Sequence, residues 1–174
     1  MAPRPRTRAL TPRQLTERAR RIKLLLLDVD GVLTDGRLFY DSDGRETKAF
    51  HAHDGHGLVR LRDAGIRIGL LSGRASRAVQ LRANELKIDL VFQGVEQKVA
   101  VYEQLLTAQR LKDEQVAYAG DDLPDLGLLE RVGLAIAVAS AQPEVRAAAH
   151  WVTLKSGGAG AVREIAELLL EARA

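Results

Sequence analysis

The chain has 174 residues, enough for one compact domain with its own core and too few for a second. It contains no cysteine, which excludes disulfide scaffolds, thiolate metal sites and cysteine nucleophiles, and no apolar run is long enough to span a bilayer or form a signal-peptide core, so a soluble, cytoplasmic protein is expected. The 26 Lys and Arg against 23 Asp and Glu give a net charge of +3, a balance that suggests nucleic acid only until it is located along the chain.

Residues 1–23 hold eight basic side chains against Glu17 alone, so the remainder, with eighteen basic and twenty-two acidic residues, is mildly acidic. With Pro3, Pro5 and Pro12, residues 1–20 read as a basic extension, partly disordered and helical near Thr11 to Arg20, ahead of one domain over 21–174. That composition favours a solubilising tail over a nucleic-acid or acidic-partner surface. Beyond it, short Leu, Ile and Val runs alternate with stretches of helical period, the pattern of parallel strands joined by helical crossovers. Strands are predicted at 22–28, 66–71, 89–92, 115–119, 134–138 and 150–153, and helices near 55–64, 75–85, 95–109, 122–130, 143–147 and 160–172. Between the first strand and the first of these helices, Arg37–Tyr40, Asp41–Gly44 and Glu46–Phe50 read as strand, turn, strand, an inserted β-hairpin. The fold class is therefore α/β, with a mainly parallel sheet flanked by helices.

The first strand ends abruptly in Asp28-Val-Asp30-Gly31, and open parallel sheets bind ligands beyond the carboxyl ends of their strands. There Asp28 could attack phosphorus, while Asp30 could protonate the departing alcohol and later deprotonate a water. Taken alone the pair could equally cap a turn. Three further segments supply what a phosphate among carboxylates would lack. Ser72-Gly73-Arg74 offers a hydroxyl, a flexible backbone and a guanidinium, although Ser72 could simply cap a helix. Lys98, after Gly94 near a helix start, could balance phosphoryl charge, where a lone lysine is usually a solvated surface group. Gly120-Asp121-Asp122-Leu-Pro-Asp125 clusters carboxylates at another strand end, a seat for a hard cation. Several carboxylates facing a phosphate demand such a cation, and Mg²⁺ suits them, with the Asp28 and Asp121 side chains and the Asp30 carbonyl as ligands.

Together Asp28-Val-Asp30, Ser72-Gly-Arg74, Lys98 and Gly120-Asp121-Asp122 resemble the four motifs of the haloacid dehalogenase superfamily. From Ile22 to the end, through Lys48-Ala-Phe50, Asp54-Gly55, Ala117–Asp122 and Gly160–Glu164, the chain resembles the 3-deoxy-D-manno-octulosonate 8-phosphate (KDO 8-phosphate) phosphatases. The resemblance implies a capless Rossmann-like core and a homotetramer whose hairpins join in a central barrel, neighbouring subunits closing each site. It implies an activity in lipopolysaccharide precursor synthesis, with Asp28 as nucleophile, Asp30 as acid/base, Ser72, Gly73 and Lys98 on phosphate, and Asp28, Asp30 and Asp121 on metal. It also places Arg74, Arg82, Asp125 and His51 to Gly55, including His53 and Asp54, near a sugar-acid phosphate. Two positions depart from the pattern. His51-Ala52-His53 stands where Arg or Lys often precedes Asp-Gly, and Ala159 stands where a basic residue often follows Gly-Gly. They leave a nine-carbon ulosonate 9-phosphate open as substrate beside the eight-carbon one, and a phosphosugar-binding subunit without activity as the non-enzymatic alternative. His51, His53 and His56 could suggest zinc, but a segment leaving a strand for a helix need not converge on an ion, and substrate-side polarity is the plainer reading.

Overall fold

The structure, a computed structural model, describes residues 9–174, so the disorder expected at the very start of the chain lies outside the described residues. Helix α1 (Pro12–Arg21) opens with a capping box in which Thr11 and Gln14 satisfy each other's backbone N–H groups, with Pro12 at the first turn. Ala19 is fully buried, Leu15 packs on the core, and Arg18 and Arg20 donate to the carbonyls of Gly133 and Ala172 at 2.6 and 2.7 Å. The described part of the basic extension is therefore docked on the domain.

Six strands form one parallel sheet: β1 (Leu24–Leu27), β4 (Arg67–Leu71), β5 (Leu90–Phe92), β6 (Val116–Gly120), β7 (Leu134–Ala137) and β8 (Trp151–Val152). Their order is β5-β4-β1-β6-β7-β8, which puts β1 and the β1–β6 pairing at the centre. Leu24 to Leu27 are all fully buried, as a strand covered by helices on both faces requires. A separate antiparallel hairpin, β2 (Phe39–Tyr40) with β3 (Glu46–Thr47), leaves the chain between β1 and α2 (Ala52–Asp63). Among the described residues it is the only excursion that could cover the sheet's carboxyl end, so the core is capless.

The crossovers are α2, α3 (Arg77–Glu85), α4 (Lys98–Gln109), α5 (Leu126–Leu129) and α6 (Pro143–Ala148), and α7 (Ala161–Glu171) follows the last strand. The helix predicted near 122–130 is split: a 3-10 turn at Leu123–Asp125, capped by Asp122, precedes the short α5. The helix predicted from residue 95 starts only at Lys98, after a left-handed turn at Gly94 (φ +67°). Helices α2 and α7 pack closely because Gly57 has no side chain where one would press on Arg163 and Ala166. No described helix is long and apolar enough to cross a membrane.

Candidate active site

Strand β1 delivers Asp28 to the centre of the carboxyl edge, its N–H bonded to the Ala119 carbonyl of β6. The next residues coil tightly: the Val29 carbonyl accepts N–H bonds from Val32, Leu33 and Thr34, and the buried Thr34 hydroxyl accepts from Gly31 and Gly36. At Gly31 the backbone is left-handed (φ +88°), and a Cβ there would sit 2.0 Å from Asp121 Oδ2. The Gly31 carbonyl in turn lies where a side chain on Gly157 would be, so three loops close on one residue.

Strand β4 ends in Ser72, buried, with its N–H on the Phe92 carbonyl and its hydroxyl accepting from the Arg74 N–H at 3.3 Å. Lys98 is the first residue of α4, and its ammonium turns inward to Asp28 Oδ1 (3.1 Å), Asp125 Oδ1 (2.7 Å) and the Tyr118 hydroxyl (3.1 Å). Burial would lower the Lys98 pKa, but the charges of Asp28 and Asp125 raise it, so the group stays a cation. Asp28, Asp30, Ser72, Gly73, Arg74, Lys98 and Asp121 thus line one cleft of about 270 Å³, gathered from four stretches of chain.

Asp125 lines the same cleft, on the side of Lys98. It is 1% exposed, and both carboxylate oxygens are taken: Oδ1 by Lys98 and Tyr118, Oδ2 by the N–H groups of Asp121 and Asp122. Held by these four donors, it shapes the Asp121 loop and anchors Lys98 at the wall of the cleft. Asp28 and Asp121 are freer. Asp28 is pushed up to about 6, by burial first and then by Asp125, against the lowering pull of Lys98 and the Val29 N–H. Asp121 is pushed up to about 7 by burial and then by the charges of Asp28, Asp125 and Asp122. Asp121 Oδ1 is buried with no hydrogen-bond partner. Asp28, Asp121 and Asp125 offer oxygens within 4.8 Å of one another; both oxygens of Asp125 are hydrogen-bonded, Asp28 is engaged through Oδ1, and Asp121 Oδ1 has no partner. Two repelling carboxylates with an orphaned oxygen between them fit a hard divalent cation.

The Asp30 side chain turns away from this pair. Its Oδ1 accepts from Lys48 at the foot of the hairpin, and its Oδ2 lies 3.5 Å from Arg74. Glu46 completes the group, bridging Lys48 (3.0 Å) and Arg74 (2.6 Å), while the Tyr40 hydroxyl accepts from Arg74 at 2.7 Å. Burial would raise Glu46, yet hydrogen bonds from Arg74 and Lys48 hold it down to about 2.

The remaining expected substrate residues stand outside the cleft lining, around the start of α2. Arg82 pairs with Glu85, lies 5.9 Å from the Phe50 ring centroid, and occupies the space a Gly55 side chain would need. His51 and His53 meet edge to face at 5.1 Å, and no metal-binding cluster of histidines exists among the described residues. Asp54 is buried and accepts the Arg163 N–H at 2.8 Å, closing the first turn of α7 from another helix. In the chain these residues brace α2, α3 and α7.

Residues 88–165 match the family model of haloacid dehalogenase-like hydrolases. The KDO 8-phosphate phosphatase KdsC of Yersinia pestis is 43% identical over 157 residues, 90% of this chain and 84% of that protein. The chain belongs to the KDO 8-phosphate phosphatase family. Solved structures agree. A probable YrbI family phosphatase from Pseudomonas syringae superposes with a TM-score of 0.91 at 48% identity, covering 92% of each chain. The KDO 8-phosphate phosphatase of Moraxella catarrhalis, solved with magnesium, phosphate and KDO, superposes at 0.92 with 40% identity over 94% of each chain.

In this family member, sequence reasoning passed over three residues that the site uses. Lys48 and Glu46 are two apart in the stretch read as extended from sequence, where alternate residues share a face, a signal that one side of the hairpin is charged. Their partner Asp30 is too distant in sequence for spacing to reveal it. Tyr118 reads as core within Val116–Gly120, and only its hydroxyl, aimed at Asp125, marks it otherwise.

Proposed function

We propose that the chain is a Mg²⁺-dependent phosphatase that converts KDO 8-phosphate to KDO and inorganic phosphate through a phospho-aspartate on Asp28. The carrying observation is the division of labour in the cleft: Asp28 and Asp121 face each other unpaired by any donor but Lys98 and the Val29 N–H, while Asp30 is held apart by Lys48 and Arg74. The two unneutralised carboxylates would hold the ion by their side chains and Asp30 by its carbonyl. Bound there, Mg²⁺ supplies Lewis-acid screening between carboxylates and phosphate. Asp28 attacks phosphorus, the bond to the sugar oxygen breaks, and Asp30 gives that oxygen its proton. A water then loses a proton to Asp30 and attacks the acyl phosphate, restoring Asp28. Ser72 and the Gly73 backbone hold the phosphoryl oxygens, and the Lys98 ammonium beside Asp28 balances their charge, since each reaches the same cleft.

The Moraxella relative, whose complex contains magnesium, phosphate and KDO, supports the ligand set. The cleft has room for the phosphoryl end, and the sugar extends past Arg74 towards the mouth. Leu38, Phe39 and Tyr40 lie about half exposed on the hairpin and form the surface through which a homotetramer assembles, neighbours completing the mouth. The reaction is cytoplasmic, in keeping with a cysteine-free chain.

The test is phosphate release from KDO 8-phosphate, a nine-carbon ulosonate 9-phosphate and hexose phosphates, with Mg²⁺ or EDTA. Release from the eight-carbon substrate that needs Mg²⁺ and vanishes in Asp28→Asn is expected. Preference for the nine-carbon ester would shift the substrate, and turnover by Asp28→Asn would end the nucleophile assignment. Mass measurement in solution tests the tetramer.

A further inference from the structure

The Lys98 ammonium has three protons and finds three acceptors: Asp28 Oδ1 at 3.1 Å, Asp125 Oδ1 at 2.7 Å and Tyr118 Oη at 3.1 Å. The Tyr118 hydroxyl donates its own proton to the same Asp125 oxygen at 2.6 Å, closing a three-membered ring of hydrogen bonds. Two corners of that ring, Asp125 and Tyr118, are fully or almost fully buried, and Tyr118 lies behind the residues that line the cleft. The phenol is fixed further because it rises from β6, the strand paired with β1, whose end carries Asp28. Lys98 by contrast hangs on a flexible four-carbon stem. With only two acceptors one N–H would lack a partner and the flexible stem could shift towards either carboxylate; the Tyr118 oxygen supplies the third, and with all three taken the ammonium is held between Asp125 and Asp28.

We propose that Tyr118 is a positioning residue for phosphoryl transfer: its hydroxyl locks Asp125 and Lys98 together so that the ammonium is aimed at the Asp28 carboxylate before substrate arrives. This rests on the phosphatase reading above and deepens it. Asp125 supplies the opposite charge, and Tyr118, bonded to both groups, keeps the ammonium from shifting away from Asp28. The benefit falls on the step in which charge moves from phosphorus to the leaving oxygen, because a preoriented cation needs no reorganisation then. Binding of the phosphate ester, served by Ser72, Gly73 and the metal ligands, is expected to change little.

Tyr118→Phe isolates the hydroxyl, since the ring that lies 5.9 Å from the ammonium is retained. A hydrogen bond within a charged group of this kind corresponds to about a tenfold loss. The variant should therefore show kcat about tenfold lower with KM within about twofold of the wild type. The decisive readout is the same substitution in a Lys98→Met background. If Tyr118 acts through Lys98, it costs nothing further there. Equal losses in both backgrounds, a loss confined to KM, or an unchanged kcat in the single variant would each overturn the proposal. Should Tyr118→Phe fail to fold, Asp125→Asn puts an amide N–H where both donors now point, and the same dependence on Lys98 is expected or refuted. A wild type that releases no phosphate from any ester would instead sink the parent reading, and this one with it.

Discussion

Replacing Asp121 with Asn should make the metal-free protein more stable while removing its response to Mg²⁺. Asp121 is held up to about 7 from a usual value of 3.8, by burial and then by Asp28. The native state therefore binds this proton more tightly than the unfolded chain, so its contribution to stability falls as pH rises from about 4 to about 7 and is level above that. At 1.36 kcal/mol per tenfold of proton affinity, keeping the group ionised costs roughly 4 kcal/mol; Asp121 is only part-buried, and screening by water reduces this to about 2 kcal/mol. For a chain of this length that corresponds to a melting temperature about 4–8 °C higher for Asp121→Asn at pH 8 in EDTA. Near pH 4.5 the difference should nearly vanish. Adding Mg²⁺ should raise the wild-type melting temperature in proportion to the logarithm of its concentration and leave the variant almost unmoved. A variant that melts at or below wild type at pH 8, or whose advantage is the same at both pH values, would refute the reasoning.

Three other substitutions probe the supporting structure. Gly31→Ala forces a side chain into a left-handed position and onto Asp121 Oδ2, so a loss of at least about 2 kcal/mol and a weaker Mg²⁺-dependent thermal shift are expected, both read by calorimetry. Asp54→Ala removes the acceptor for the Arg163 N–H and should lower the melting temperature by about 2–6 °C, whereas Asp54→Asn, which keeps an acceptor oxygen, should stay close to wild type. Lys48→Met strips Asp30 of its main cationic partner, and kcat on the sugar-acid phosphate should fall about tenfold; an unchanged kcat would separate the hairpin from the chemistry.

The strands were legible because a parallel sheet covered on both faces writes itself as Leu, Ile and Val runs, and the acids that end Leu24–Leu27 and Val116–Gly120 mark where those runs reach solvent. The meeting of Asp28, Ser72, Lys98 and Asp121 could be anticipated for the same reason, since each follows a strand or opens a helix at the same edge. Orientation was less legible. Asp125 carries the same side chain as Asp121, yet the 3-10 turn between them folds it back under its own loop, which spacing alone does not show. Helix starts were misjudged where a loop intervenes: Ala52 rather than 55, because His51 and His53 are indifferent helix signals, and Lys98 rather than 95, because the Gly94 turn lengthens the approach. The docking of α1 depends on Arg18 and Arg20 reaching carbonyls more than a hundred residues away, which no local pattern encodes.

The register of the hairpin separates two kinds of inheritance. Tyr40 stands opposite Glu46, and both, with Lys48, reach the guanidinium of Arg74 or the carboxylate of Asp30; Phe39 stands opposite Thr47, and neither has a partner among these groups. Mutational drift along one side of this ribbon can thus alter what the hairpin presents to solvent while the ion pairs around Asp30, made from the other side, are left intact.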